Sequence, residues 1–75
     1  MMRYKIDVTA ELTKRGWGNK RCRDEKVISQ STWTRLKRGE PVTTDTLNVV
    51  CLILRIQPGD LFEIVPSDDE KLRFF

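Results

Sequence analysis

Between Ile28 and Gly39 the chain reads Ile28-Ser29-Gln30-Ser31-Thr32-Trp33-Thr34-Arg35-Leu36-Lys37-Arg38-Gly39. The polar side chains in this run carry the donors and acceptors that nucleobase edges require. A glutamine such as Gln30 can pair in bidentate fashion with adenine, an arginine such as Arg35 with guanine, and hydroxyls such as Ser31 and Thr34 with either. At helical spacing Trp33 and Leu36 fall on an inward face with Ile28 ahead of them, and Gln30, Ser31, Thr34, Arg35 and Lys37 fall opposite. Ser29 fits an N-cap, and Gly39 fits the left-handed residue that closes a helix. The pattern predicts a helix over residues 29–38 with a polar outer face. An ordinary solvated surface helix has the same pattern, so the rest of the chain must decide.

The charge distribution bears on that choice. The chain holds 14 Lys+Arg and 11 Asp+Glu, a formal net charge of +3. Lys14, Arg15, Lys20, Arg21, Arg23, Lys26, Arg35, Lys37 and Arg38 all lie between positions 14 and 38, where the only acids are Asp24 and Glu25. From 39 to 70 the single cation Arg55 stands against Glu40, Asp45, Asp60, Glu63, Asp68, Asp69 and Glu70. A basic cluster of this kind is the footprint of a polyanionic partner. Lys20 and Arg21 open a predicted short helix over 19–26, where cations oppose the macrodipole. A phosphate docked at that helix start reverses the penalty, whereas in its absence the two long side chains turn away into solvent.

The elements that position these groups are punctuated by Gly16, Gly18, Gly39, Pro41, Pro58, Gly59 and Pro66. Between the breaks lie segments of two to four turns, which suggests an all-α, compact bundle with short connections. Val8 and Leu12 suit a first helix capped by Asp7. In the helix over 19–26 only Cys22 can point inward. Over 44–56, Leu47, Val50, Cys51 and Leu54 form a core stripe, and Val49, Leu52, Ile53 and Ile56 repeat its spacing on a neighbouring face. Pro58 suits the first position of a short turn from which Leu61 and Phe62 pack back. The alternation of Tyr4, Ile6 and Val8, and the β-prone residues 62–65, suggest a small two-stranded ribbon. The folded domain is taken as 1–66, with 67–75 a tail that is either frayed or part of a dimer contact.

Composition removes several function classes. Seventy-five residues make one domain that buries only about 60% of its unfolded surface. The longest apolar run, residues 49–54, is far short of a membrane span. No apolar signal core follows the first basic residues, so Cys22 and Cys51 are expected as reduced thiols in a cytoplasm. The chain has no histidine, no metal-ligand set and no Gly-rich phosphate loop. Neither a metal nor a cofactor is expected, and an enzyme is the least supported class.

The stretch from Ile28 to Gly39, the residues Asp45-Thr46-Leu47 through Cys51 and Leu54, and Gln57-Pro58-Gly59-Asp60-Leu61 together resemble the Cro/repressor-type (lambda repressor-like, XRE family) helix-turn-helix domains of the short, single-domain type. The interval from Gly16 to Ile28 also resembles their helix-turn-helix unit. The resemblance covers residues 3–65 and implies five helices, the second crossing the phosphate backbone of double-stranded DNA and the third lying in the major groove. It implies base contacts from Gln30, Ser31 and Arg35, with Thr34 a further candidate. It implies phosphate contacts from Asn19, beside Lys20 and Arg21, and from Lys37, Arg38, Thr43 and Thr44 around the following loop. The chain departs from that pattern at Glu11, Cys22, Arg23 and Val27, the last standing where the family's turn usually carries glycine. It departs also at Val49 and Leu52, which are commonly polar.

The extra stripe of Val49, Leu52, Ile53 and Ile56 is expected to form a two-fold homodimer surface, joined by Phe74 and Phe75, or else to be covered by the chain's own N-terminal strand or tail. The expected function is sequence-specific binding of double-stranded DNA as a transcriptional repressor in a bacterial or phage setting, nucleoid-associated in the cytoplasm. The alternative is a protein-interaction module on a helix-turn-helix scaffold, antitoxin-like in role.

Overall fold

Asp7 ends the extended start of the chain and begins its first helix: its carboxylate accepts the Ala10 N–H at 3.3 Å, a cap of about 1 kcal/mol. The computed structural model describes all 75 residues. They form β1 (Met2–Tyr4), α1 (Val8–Lys14), α2 (Asn19–Asp24), α3 (Gln30–Arg38), α4 (Thr44–Leu54), α5 (Pro58–Leu61), β2 (Phe62–Ile64) and α6 (Asp68–Phe74). No helix is long and apolar enough to cross a membrane.

The spacing of apolar residues sets the packing. Val8 and Leu12 of α1, Cys22 of α2, Ile28, Trp33 and Leu36 around α3, Val50 and Leu54 of α4, and Leu61 of α5 form one core cluster. Leu12, Cys22, Val50 and Leu61 are fully excluded from solvent, and each such aliphatic side chain stabilises the fold by about 1.5–3 kcal/mol. The central helix α1 packs on both α3 and α4.

The ribbon forms as expected. β1 and β2 pair antiparallel, with Met2 opposite Ile64, Arg3 opposite Glu63 and Tyr4 opposite Phe62. Arg3 and Glu63 close an ion pair at 2.8 Å across it, and Tyr4 donates its hydroxyl to the Glu40 carbonyl at 2.8 Å. That bond ties the ribbon to the loop after α3. Burial raises the Tyr4 phenol above its ordinary pKa.

The structure corrects four boundaries. There are six helices, not five: residues 67–75 are not frayed but form α6, capped by Ser67, which accepts the Glu70 N–H. The Glu70 carboxylate in turn takes the Ser67 N–H at 2.9 Å and the N-terminal ammonium at 2.5 Å. These donors, the ammonium first, hold its pKa down to about 2. Next, α4 stops at Leu54 rather than Ile56, because Arg55 turns left-handed at φ 56°. In the same way α2 stops at Asp24 rather than Lys26. Finally, the positive φ of the turn between α2 and α3 belongs to Lys26, at 57°, and not to Val27. The Val27 and Ile28 amides both reach back to the Cys22 carbonyl, at 3.0 and 3.4 Å. An unbranched lysine thus takes the left-handed position and spares the β-branched valine, which packs against the core.

An L-residue in that conformation costs roughly 1–2 kcal/mol, part of which glycine returns through its freer unfolded chain. Lys26→Gly is therefore expected to stabilise the domain by about 0.5–1 kcal/mol, raising the melting midpoint by about 2–8 °C. A lowered midpoint contradicts this account of the turn.

Candidate nucleic-acid interface

α3 is held at both ends and along one side. Ser29 accepts the Thr32 N–H at 3.2 Å and donates to the Thr32 hydroxyl at 2.9 Å. Gly39 closes the other end at φ 77°, and the Glu40 N–H satisfies the Arg35 carbonyl at 2.8 Å. Trp33 and Leu36 anchor the inner face in the core. The helix is thus fixed in position and rotation, which a reading element requires.

Its outer face carries the expected residues. Gln30, Ser31, Thr34 and Arg35 are all exposed. Gln30 and Arg35 make no side-chain hydrogen bond or ion pair within the protein, so their amide and guanidinium groups are free to pair. Thr34 donates its hydroxyl to the Gln30 carbonyl at 3.0 Å, leaving the oxygen's lone pairs as acceptors. The Ser31 hydroxyl lies 3.2 Å from that of Ser29. Arg38 belongs to this face as well: it closes α3 at i+3 from Arg35 and i+7 from Ser31. Lys37 lies off centre, lining a shallow depression with Trp33 and with Thr9, Ala10 and Thr13 of α1.

The expected phosphate-contacting residues divide. Asn19 is the first residue of α2, which starts after Gly18 with no side-chain cap. Asn19 and Lys20 are exposed. Arg21 is engaged: its guanidinium stacks on Trp17 at 3.7 Å from the ring centroid, pairs with Glu25 at 2.6 Å and donates to the Gly16 carbonyl at 3.3 Å. Arg23 pairs with Asp24 at 3.6 Å and Lys14 with Glu11 at 3.2 Å. That partner accounts for the half-buried Glu11 at a place usually apolar. Thr43 caps α4 by accepting the Thr46 N–H at 3.3 Å, and Thr44 is the exposed first residue of that helix. Asp45 already occupies the first turn of α4, so a phosphate reaching Thr43 and Thr44 meets a carboxylate along with the helix amides.

Cys22 fills the inner side of α2 and donates its thiol to the Trp17 carbonyl at 3.4 Å. Burial raises its pKa, with Arg21 lowering and Glu25 raising it to lesser extents. It is a packing residue. Arg23 is solvent-exposed, so this departure from the family's pattern places no charge in the core.

The stripe of Val49, Leu52, Ile53 and Ile56 does not make one exposed surface. Val49 and Ile53 pack half-buried against the core. Leu52 stands 68% exposed. It shares with Ile56 the edge of an open groove between α4 and α5, a feature that periodicity did not reveal because the groove depends on where α5 and β2 return.

A family model described as Cro/C1-type HTH DNA-binding domain matches residues 12–67. The match runs from the middle of α1 to the cap of α6 and contains the whole of α2, α3 and α4. No curated protein and no solved structure matches the chain. With well over half of its length inside that model, and with α2 and α3 joined by a short turn under an exposed polar face, the chain belongs to the Cro/C1-type helix-turn-helix DNA-binding domain family.

Proposed function

We propose that the chain reads double-stranded DNA in a sequence-specific way and acts as a transcriptional repressor. In this reading α3 lies in the major groove, with Gln30, Ser31, Thr34 and Arg35 toward base edges. Asn19, Lys20, Lys37, Arg38, Thr43 and Thr44 approach phosphates. Arg21 acts by holding the start of α2 against Trp17 more than by reaching outward. The protein is a binder rather than an enzyme. It works as a homodimer that sets two copies of α3 roughly 34 Å apart on successive major grooves, at the nucleoid of a bacterial cell or of a phage's host.

The observation that carries this reading is the pair of free side chains, Gln30 and Arg35, exposed on a helix that is capped at both ends and anchored by Trp33 and Leu36. Selection of bound duplexes from a random pool is expected to yield a two-fold symmetric site. Arg35→Ala or Gln30→Ala then costs about 1–3 kcal/mol on that site and relaxes one base pair. Lys20→Ala weakens selected and random duplexes alike and lowers the salt slope by about 2, one phosphate contact being lost in each protomer. Equal losses on both duplexes for all three variants contradict these roles, and a pool that yields no consensus contradicts sequence-specific reading.

A further inference from the structure

The groove between α4 and α5 has a volume of about 780 Å³ and an apolar lining made by Leu47, Cys51, Leu52, Ile56 and Phe62. Arg55 is the only charged residue that lines it, and it has no ion-pair partner in the chain. At another place on the same molecule stands a segment without a partner. No residue of α6 is buried, and Leu72 and Phe75 are 85% and 86% exposed. The molecule measures 44 × 23 × 19 Å, with a radius of gyration of 13.6 Å against about 11 Å for a compact chain of this length. The difference is that of a rounded body with a projecting arm.

The arm and the groove match in chemistry and in spacing. Asp68, Leu72 and Phe75 follow one another at i, i+4 and i+7, so one face of α6 presents a carboxylate, an aliphatic group and an aromatic ring. Along α4 and its end, Asn48, Leu52 and Arg55 follow at i, i+4 and i+7 as well. Both rows span about 10 Å at 1.5 Å per residue. Set antiparallel, Asp68 meets Arg55, Leu72 meets Leu52 and Cys51, and Phe75 meets Leu47 and Asn48. Asp68 has no other ion-pair partner. The arm does not turn into its own groove, because its start is held at the Ile64 end of the ribbon. There the N-terminal ammonium binds both the Val65 carbonyl and Glu70, whereas Phe62, at the other end of the strand, borders the groove.

We infer that the groove receives α6 of a second copy of this chain, the two arms being exchanged around a two-fold axis. This rests on the homodimer in the proposed function and names its contact surface. Each docked aromatic ring removes about 150–250 Å² from water and covers a like area of groove. Two reciprocal rings thus remove about 600–1,000 Å², and Leu72 of each arm, packed on Leu52 and Cys51, carries the total toward the ~1,200 Å² at which specific interfaces begin. In place of a face-to-face contact through Val49 and Ile53, which the core already uses, Leu52 and Ile56 take part as groove wall.

Two measurements test this. In sedimentation equilibrium the wild type is a dimer at high micromolar concentration, Leu72→Asp and Leu52→Lys are monomers, and mixing the two variants restores association through the one intact arm and groove. Under mild oxidation Leu72→Cys gives a disulfide-linked dimer through Cys51 of the other copy, and the added substitution Cys51→Ser abolishes it. Both variants change exposed residues, and unchanged far-ultraviolet circular dichroism checks that they fold. A monomeric wild type, a Leu72→Asp dimer, or a crosslink that survives Cys51→Ser overturns the inference. Loss of dimer with retained binding to a single half-site separates failure of the arm contact from failure of DNA reading.

Discussion

Raising salt from 50 to 200 mM is expected to lower the affinity of the dimer for its DNA site by about 10³-fold. The size follows from which cations are free. Of the nine between positions 14 and 38, Lys14, Arg21 and Arg23 are held by Glu11, Glu25 and Asp24, Arg15 and Lys26 lie outside the proposed contacts, and the proposed complex assigns Arg35 to the bases. Lys20, Lys37 and Arg38 are exposed, without carboxylate partners, and lie on α2 and α3. Three phosphates per protomer and six per dimer give a slope of log affinity on log salt near −5, each phosphate contributing about −0.9. A titration at four or more salt concentrations measures it. A slope near −2.5 means that one protomer binds alone, and a slope near zero contradicts phosphate neutralisation altogether.

Leu12→Ala is expected to remove about 2–5 kcal/mol of stability, and Leu61→Ala a similar amount. Both side chains are fully buried. Leu12 lies in α1, the helix against which both α3 and α4 pack, and Leu61 joins α5 and the second strand to the same cluster. A domain of this size has only about 4–11 kcal/mol to lose, so either variant forfeits a large share of its stability and its unfolded fraction rises steeply near physiological temperature. Because no contact with DNA is altered, the loss of binding should vanish at low temperature where the variant refolds. Thermal melts read the effect directly, as a fall of about 10 °C or more. A fall of less than about 3 °C would mean that the core relaxes around the gap.

Much of this architecture was legible from residue types alone. Asp7 and Ser29 each precede a helix with an oxygen that its amides need, and Gly39 ends α3 in the one conformation that favours glycine. Trp33 with Leu36, and Val50 with Leu54, gave the inward faces through period alone. The alternation at Tyr4 and Ile6 and the β-prone residues 62–65 anticipated the ribbon. Less legible was whatever depends on contacts between distant segments. The family's glycine position pointed to Val27, yet the backbone places the left-handed residue one step earlier, at Lys26, where the side chain is unbranched. Arg21 reads as a free cation until Trp17 is seen beneath it. Residues 67–75 read as a tail, frayed or at a dimer contact, because their apolar side chains have nothing to pack on within one copy. Their helix is made by the reciprocal Ser67 and Glu70 cap and the N-terminal ammonium, which arrives from the far end of the sequence. The apolar stripe of α4 was visible, but its division between core and groove was set by α5 and the strand that follows.

The central claim is that α3 is the surface that meets DNA. Amide chemical-shift mapping on addition of the selected duplex tests it most directly. The account predicts that the largest shifts fall on Gln30–Arg38 and on Asn19 and Lys20 at the start of α2, with the side-chain amide of Gln30 and the guanidinium of Arg35 among them. Shifts confined to the α4 and α5 groove with α3 unmoved, or no shifts at all, would contradict it.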